Sequence, residues 1–161
     1  KGNTPEETIK SRLGIEYTVD LFFTERTPIN SALKRQIAAK GKPKVLAVLI
    51  DEAQFLTSKQ VEDLLTFTLQ TGMTVECYGL KTNFATKLFP GSQRLIELAD
   101  NVQELSLVRC KCGGKASINA RFNSLGEIIT SGPEKLIEGS HEEITYDPVC
   151  SSCFLDHGGE F

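Results

Sequence analysis

Four of the five cysteines lie in two close pairs, Cys110-Lys111-Cys112 and Cys150-Ser151-Ser152-Cys153. The second pair has the C-x-x-C spacing of a zinc knuckle, and the first pair is one residue shorter. Residues 113–149 separate the two pairs, so a shared metal ion would close a long loop. Because four thiolates around tetrahedral zinc leave no open coordination position, the pattern predicts a structural metal centre rather than a catalytic one.

The odd number of cysteines argues against a simple disulfide framework. Cys77 stands alone in an apolar stretch, and we predict a small buried side chain on a strand. The shortened first pair leaves one alternative open. If that pair supplies only one sulfur, His141 or His157 could replace the missing ligand.

The composition is that of a globular protein, with 40% hydrophobic and 24% charged residues among 161 and a formal net charge of −3. An acidic chain lacks the basic surface that binds a nucleic-acid backbone. No apolar run approaches the ~20 residues that cross a membrane, and the polar start Lys1–Lys10 does not resemble a signal peptide. We therefore expect a cytoplasmic protein that binds neither nucleic acid nor a membrane.

The middle of the chain has a strand–helix–strand pattern. Lys44–Ile50 is continuously apolar after its first residue, which is typical of a parallel strand covered on both faces. Thr57 or Ser58 can cap the helix that follows, and Gly72 can end it. The apolar face of this helix is formed by Val61, Leu64, Leu65 and Leu69. Thr74–Leu80 is the next apolar strand, so the pattern predicts a βαβ unit in a parallel sheet.

Four further elements are predicted around this unit. A strand covers Tyr17–Phe23, and a helix begins at Pro28 and ends near Gly41. A short helix lies around Ser92–Ala99, and a strand lies around Val102–Val108. Beyond Cys110 the sequence is rich in glycine and short β-like pieces. We therefore predict two domains, at residues 1–108 and 109–161.

Two carboxylates, Asp51 and Glu52, directly follow the first apolar strand. Ligands of open α/β sheets bind at the carboxyl ends of strands. An aspartate there has the form of a Walker B element, which holds magnesium, and a neighbouring carboxylate can accept a proton. A solvated loop is the alternative interpretation. The following Gln54 and Phe55 and the aromatic loop at Lys81–Gly91 favour a site.

Three motifs follow one another along the chain: V-L-I-D-E-A-Q-F at Val48–Phe55, C-Y-G-L-K-T-N-F-A-T-K-L-F at Cys77–Phe89, and the paired cysteines. Together they resemble the zinc-containing cytosolic thymidine kinases, from about Ser11 to Cys153. The resemblance implies an α/β fold with a P-loop-kinase-like parallel sheet and flanking helices. It also implies a small zinc-binding, mostly β subdomain that carries a lasso, a loop covering the nucleoside.

The implied reaction is ATP-dependent transfer of the γ-phosphoryl group to the 5′-hydroxyl of thymidine, and of deoxyuridine, in nucleotide salvage for DNA synthesis. Glu52 matches the general base of the family, and Asp51 matches the residue that organises the Mg²⁺ bound with ATP. The substrate-binding positions implied by the resemblance are Gln54, Phe55, Leu80, Phe84, Phe89, Asn119, Ile137, Gly139 and Tyr146. Structural Zn²⁺ would be held by Cys110, Cys112, Cys150 and Cys153.

Other implied properties are a homotetrameric or homodimeric assembly and inhibition by an end-product nucleoside triphosphate. The lasso would be Lys135–Tyr146, although its sequence departs from the glycine pair that the family often has near Glu138.

The first strand of the family and its phosphate-binding loop, G-x-x-x-x-G-K-[ST], are not found in this chain. Gly41-Lys42-Pro43 lacks the hydroxyl residue and the preceding glycine. The sequence is either a fragment of a kinase or a kinase-dead relative that binds a nucleoside, and the chain as given is expected not to bind ATP productively. A zinc-ribbon interaction module is a further alternative, whereas a motor read from D-E-A-Q would need a second ATPase lobe.

Overall fold

The computed structural model describes residues 8–10, 14, 16–39, 45–105, 107–132 and 144–161. The chain packs as two units. The first unit contains Lys1–Ile50 and Leu56–Glu76, and the second contains Asp51–Phe55 and Cys77–Phe161. The predicted division at residue 108 stays a prediction.

The structure is mixed α/β, with ten helices and strands among the described residues. The strands are β1 (Thr8–Lys10), β2 (Glu16–Thr18), β3 (Ala47–Ile50), β4 (Thr74–Cys77), β5 (Ile118–Phe122) and β6 (Thr145–Val149). The helices are α1 (Ile29–Ala39), α2 (Ser58–Thr71), α3 (Pro90–Leu98) and α4 (Ser151–Asp156), and a 3₁₀ turn covers Ala53–Phe55.

The first unit is built around α1, α2 and the parallel strand pair β3–β4. The predicted βαβ unit is therefore present. Its buried apolar residues include Ile29, Leu33, Val61, Leu64 and Phe67. Because these residues recur at helical spacing on α1 and α2, one apolar stripe of each helix is removed from water.

Helix α2 begins and ends where local signals predict. The Thr57 hydroxyl accepts a hydrogen bond from the Gln60 backbone N–H at 3.2 Å, and Gln60 Oε1 accepts one from the Thr57 N–H at 3.0 Å. This reciprocal pair is a capping box. Gly72 ends the helix with a φ of 67°, in the left-handed region that glycine adopts without strain. The predicted apolar face was partly wrong, because Phe67 is buried whereas Leu69 is 77% exposed.

Strand β3 is more exposed than its apolar sequence predicts. Leu46 and Leu49 are 75% and 67% exposed, whereas Ile50 is buried. Within the described residues β4 is the only strand that pairs with β3. The expectation of a strand covered on both faces was therefore wrong for this structure, since a single neighbouring strand leaves apolar side chains in contact with water.

Two other predicted strands differ from the structure. The strand expected at Tyr17–Phe23 is only β2, which pairs antiparallel with β1 and ends at Thr18. The described residues of 102–108 form no strand, and Leu105 and Leu107 are 66% and 90% exposed. A segment rich in apolar residues forms a strand only where a partner strand and a packing surface are present.

The second unit has its core between β5, β6 and α4. The two strands pair antiparallel, with Ala120 opposite Asp147 and Arg121 opposite Tyr146. The apolar cluster between these elements consists of Cys110, Ile118, Ala120, Val149 and Phe154. Gly159 packs closely on this cluster, because a Cβ there would lie 2.5 Å from the Phe154 ring.

Within the part of the chain that the structure describes, no helix combines the length and the apolar character needed to cross a bilayer.

The capping box of α2 supports a prediction about stability. Thr57→Ala removes the hydroxyl that accepts from Gln60, and we expect a loss of about 1 kcal/mol in the free energy of unfolding. Urea denaturation followed by circular dichroism measures this loss. Thr57→Ser retains the hydroxyl and should unfold at the same urea concentration as the parent protein. Equal midpoints for Thr57→Ala and the parent would contradict the assigned cap.

Candidate active site and metal centre

The acidic pair lies on a sharply bent main chain. Asp51 and Glu52 are both exposed, and Asp51 Oδ1 accepts a hydrogen bond from the Glu52 backbone N–H at 2.9 Å. Glu52 has a φ of 52°, a left-handed conformation that residues other than glycine rarely adopt. The chain then enters the 3₁₀ turn at Ala53–Phe55. The two carboxylates therefore lie at a bend that places them next to each other at the surface.

The side chain of Gln54 connects this bend to the segment after β4. Gln54 is 2% exposed. Its Nε2 donates to Glu52 Oε2 at 2.5 Å, and its Oε1 accepts from the Leu80 backbone N–H at 3.1 Å. Because both ends of this buried amide are bonded, it has little freedom to rotate. Gln54 therefore fixes the Glu52 carboxylate relative to the backbone of Leu80.

Gly79 makes this close approach possible. A Cβ at Gly79 would lie 2.4 Å from Gln54 Oε1, 3.0 Å from the Gln54 backbone nitrogen and 3.2 Å from that of Ala53. The two backbone nitrogens cannot move aside cheaply, since the Ala53 N–H donates to the Tyr78 carbonyl at 2.8 Å. Any side chain at Gly79 would therefore separate the bend from the segment that Gln54 joins to it.

An apolar wall lies next to this connection. The rings of Phe55 and Phe89 pack edge to face, with centroids 5.6 Å apart and an interplanar angle of 76°. Phe89 is buried, whereas Phe55 and Leu80 are 46% and 43% exposed. The Leu80 carbonyl accepts from the Ser92 hydroxyl at 2.6 Å. The wall is thus fixed on its buried side and presents apolar surface on the other.

Phe84 lies in a tight turn within the same loop. Asn83 Oδ1 accepts from the backbone N–H groups of Ala85 and Lys87, both at 3.0 Å. An antiparallel bridge joins Thr82 to Leu88 at the base of the turn. The turn therefore holds Phe84, which is 5% exposed, in a defined place.

Sequence reasoning missed Arg121, a buried residue of β5 that is 1% exposed. Its guanidinium carbon lies 3.4 Å from the centroid of the Phe84 ring. Its Nε donates to the Tyr146 hydroxyl at 2.9 Å. The available signal was a lone basic residue in the short run I-N-A-R-F, which ordinarily indicates an exposed position.

Most of the predicted substrate residues thus contact one another or Arg121 in the structure. Glu52, Gln54 and Leu80 form one hydrogen-bonded group, and Phe55 packs on Phe89. Arg121 contacts two further predicted residues, Phe84 and Tyr146. Asn119 lies on β5 opposite Pro148 and is half-buried. Ile137 and Gly139 lie outside the described residues, and the individual roles of all these residues stay predictions.

The four paired cysteines are positioned to hold a metal ion. Their sulfur atoms all lie within 4.8 Å of one another, and the Sγ atoms of Cys112 and Cys150 are 3.6 Å apart. Four Zn–S bonds of about 2.3 Å in a tetrahedron would place sulfurs roughly 3.8 Å apart. The residues therefore fit a four-thiolate site, and the short Cys110-x-Cys112 pair supplies both of its sulfurs.

Backbone amides support this cluster. The N–H groups of Cys112 and Cys150 hydrogen-bond to Cys110 and lower the pKa of its thiol to about 6, which favours the thiolate form that binds metals. Cys150 caps α4, and its sulfur accepts from the Cys153 N–H at 3.5 Å. Gly114 lies directly against the cluster, since a Cβ there would be in van der Waals contact with the Cys112 sulfur at 3.4 Å and the Cys150 sulfur at 3.7 Å.

The remaining candidate ligands differ from this set. His157 packs edge to face on Phe122, with ring centroids 6.0 Å apart, and it is not a member of the cysteine cluster. His141 lies outside the described residues. Burial raises the pKa of the Cys77 thiol to about 11, so Cys77 is a neutral thiol at physiological pH.

This geometry predicts the metal content of two matched variants. Cys112→Ser removes one of four sulfurs and should lower bound metal from about one ion per chain to near zero. Cys77→Ser changes a thiol outside the cluster and should retain the metal. Inductively coupled plasma mass spectrometry of protein purified without chelator measures both. Equal metal content in the two variants would contradict the assigned ligand set.

Comparison with known proteins identifies the relatives of this chain. The family model for thymidine kinase matches residues 6–154. A protein named thymidine kinase from Mannheimia succiniciproducens is 37% identical over 152 residues, covering 94% of this chain and 74% of the relative. Proteins of the same name from Albidiferax ferrireducens and Haemophilus influenzae are each 37% identical, and the matches cover 94% of this chain and 72% and 75% of those relatives.

The matched region includes the bend at Asp51 and Glu52, the aromatic loop and all four paired cysteines. On a match of this length and identity, the chain belongs to the thymidine kinase family.

Proposed function

We propose that this protein is a thymidine kinase that transfers the γ-phosphoryl group of ATP to the 5′-hydroxyl of thymidine, and of deoxyuridine, in nucleotide salvage. The observation that carries the proposal is the buried amide of Gln54, which bonds the Glu52 carboxylate and the Leu80 backbone together. In a member of this family, that connection places an acidic group beside an apolar wall. A flat, weakly polar base and a sugar hydroxyl need these two features.

Glu52 is the proposed general base. Its carboxylate is exposed at the bend, and Gln54 holds one of its oxygens at a distance of 2.5 Å from Nε2. The second oxygen can accept the proton of a 5′-hydroxyl. Phosphoryl transfer depends mainly on positioning and on charge stabilisation, so a fixed carboxylate that receives the proton late in the reaction is sufficient. Asp51 would hold the magnesium that accompanies ATP and neutralises phosphate charge.

The base would lie against the aromatic wall. Phe55 and Leu80 supply exposed apolar surface, and the buried rings of Phe84 and Phe89 are proposed to complete the wall. Tyr146 would contact the nucleoside from the lasso side. The family resemblance assigns three further residues to the substrate site: Asn119, Ile137 and Gly139. Backbone groups of the lasso would orient the base by hydrogen bonds.

The metal is proposed to be Zn²⁺ with a structural role. The four sulfurs fit the ion, and no ligand position remains for a substrate. The two cysteine pairs flank the segment that contains β5, the lasso and β6. A bound ion would therefore hold the two ends of that segment together and would take no part in the chemistry.

The remaining features follow from family membership and are part of the same proposal. They are a P-loop-kinase type of sheet, a zinc-binding lasso subdomain at 109–161, a cytoplasmic location, a homotetramer or homodimer, and inhibition by a nucleoside triphosphate. The alternative function is that of a nucleoside-binding relative without kinase activity, which would bind thymidine and not turn it over.

Substitution of the proposed base tests the function. Glu52→Gln keeps the size of the side chain and removes the proton acceptor, so we expect kcat to fall by at least about 100-fold. Thymidine binding should change little, because the aromatic wall is intact. Steady-state assays with radiolabelled thymidine measure turnover, and isothermal titration calorimetry measures binding.

Glu25→Gln is the matched control, since Glu25 is an exposed residue in a turn of the first unit. Its kinetics should equal those of the parent protein. Parent-like turnover in Glu52→Gln would contradict the base assignment. Thymidine binding by a full-length parent protein that shows no turnover would favour the nucleoside-binding alternative.

A further inference from the structure

Arg121 carries an inference that rests on the proposed function and goes beyond it. Its side chain is the largest among those fully buried in the described residues. It contacts two aromatic residues that are assigned to the proposed nucleoside site: Phe84 on the loop after β4, and Tyr146 at the end of the predicted lasso.

The contacts are those of a planar group used for orientation. With its carbon 3.4 Å from the ring centroid, the guanidinium lies against the face of Phe84, which is attractive for a cation. The Nε–H donates along a fixed direction in the guanidinium plane, and the Tyr146 hydroxyl lies 2.9 Å away in hydrogen-bonding position. A single rigid group therefore sets the orientation of the phenol relative to the phenylalanine ring.

The backbone of Arg121 is fixed as well. Arg121 is the direct partner of Tyr146 in the β5–β6 register, so the two residues are joined through both main chain and side chain. The Arg121 carbonyl also accepts from the Ile129 N–H at 2.9 Å. This anchoring leaves the guanidinium little freedom to follow a displaced ring.

Arg121 also lies near both sequence ends of the segment that contains the predicted lasso. A Cβ at Gly132 would lie 3.5 Å from Arg121 Nη1, which is ordinary van der Waals contact. Gly132 precedes the segment 133–143, and Tyr146 follows it closely. One buried side chain therefore lies beside both Gly132 and Tyr146.

We propose that Arg121 is a positioning residue for thymidine: it holds the Phe84 ring and the Tyr146 phenol in one arrangement, so that these two side chains form a preorganised part of the nucleoside site. A lysine would keep the charge but would lose the flat surface and the directed Nε–H. Loss of preorganisation weakens ligand binding because the pocket must then be ordered at the expense of binding energy.

The test compares the Kd and KM for thymidine with the KM for ATP in the full-length protein. We expect Arg121→Lys to raise the thymidine Kd and KM about ten-fold, since ordering the pocket then opposes binding. The KM for ATP should stay within about two-fold of the parent value, because Phe84 and Tyr146 belong to the proposed nucleoside site. Calorimetry and steady-state kinetics give these constants, and Arg26→Lys, in an exposed turn of the first unit, is the matched control.

A double-mutant cycle separates positioning from a general structural role. Tyr146→Phe removes the phenol oxygen and keeps the ring, and we expect about a three-fold rise in the thymidine Kd. In the Arg121→Lys background the same change should add little, because the hydrogen bond is already lost. Additive effects would overturn the proposal, since the hydroxyl would then act independently of Arg121.

Other outcomes also decide the question. An unchanged thymidine Kd in Arg121→Lys would overturn the positioning role and leave the kinase function in place. So would a parallel rise in the KM values for thymidine and ATP accompanied by a lower melting temperature, because that result indicates a general loss of stability. If Arg121→Lys does not fold, an unchanged thymidine Kd in Tyr146→Phe overturns the proposal. A parent protein that does not bind thymidine at all would show that the proposed function itself is wrong.

Discussion

The hydrogen bonds of the Gln54 carboxamide hold the candidate active site together. The acidic bend and the loop after β4 are 25 or more residues apart in sequence, and Gln54 joins them through Glu52 and Leu80. A buried amide that lost one of these partners would leave a polar group without water or protein to replace it, at a cost of roughly 1–3 kcal/mol. The contact also requires Gly79, whose missing side chain lets the two backbones approach. The geometry of the site thus depends on two residues that have no reactive groups.

The apolar cluster between β5, β6 and α4 is small, and the paired cysteines lie beside it. The cluster around Phe154 contains five buried residues, two of which are Ala120 and Cys110. A core of this size supplies limited hydrophobic stabilisation, and small folds commonly add a metal site. The cysteine cluster lies at the edge of this core, since Cys110 belongs to both. The same side chain therefore contributes to packing and to the metal centre.

Features encoded by neighbouring residues could be predicted from the sequence, and features that depend on distant contacts could not. The cap at Thr57 and the end of α2 at Gly72 follow from residue types within one turn of the helix. The cysteine spacing likewise indicated the metal cluster, because ligand chemistry restricts which residues can meet. The segment 102–108 is rich in valine and leucine, but no strand forms there among the described residues. Apolar residues alone do not form a strand, because a strand also needs a neighbouring strand with which to pair.

Arg121 shows the same limit within the site. A single basic residue in a short strand predicts an exposed side chain, and only the tertiary structure reveals the rings of Phe84 and Tyr146 around it. The hydrogen bond from Gln54 to Glu52 was also out of reach, although the residues are close in sequence. It depends on a left-handed main chain at Glu52, and no local pattern of residue types predicts that conformation.

That left-handed conformation has an evolutionary consequence. For a residue with a Cβ, such a main chain costs about 1 kcal/mol or more, whereas glycine would adopt it freely and asparagine with less strain. The Glu52 carboxylate offsets part of this cost, because it accepts the hydrogen bond of the buried Gln54 amide, which glycine could not do. A side chain kept at a position where the backbone opposes it marks a trade of folding free energy for the geometry of the site. Evolution at this position is therefore restricted from two sides: glycine would relax the main chain and lose the acceptor, whereas glutamine would keep the acceptor and the strain.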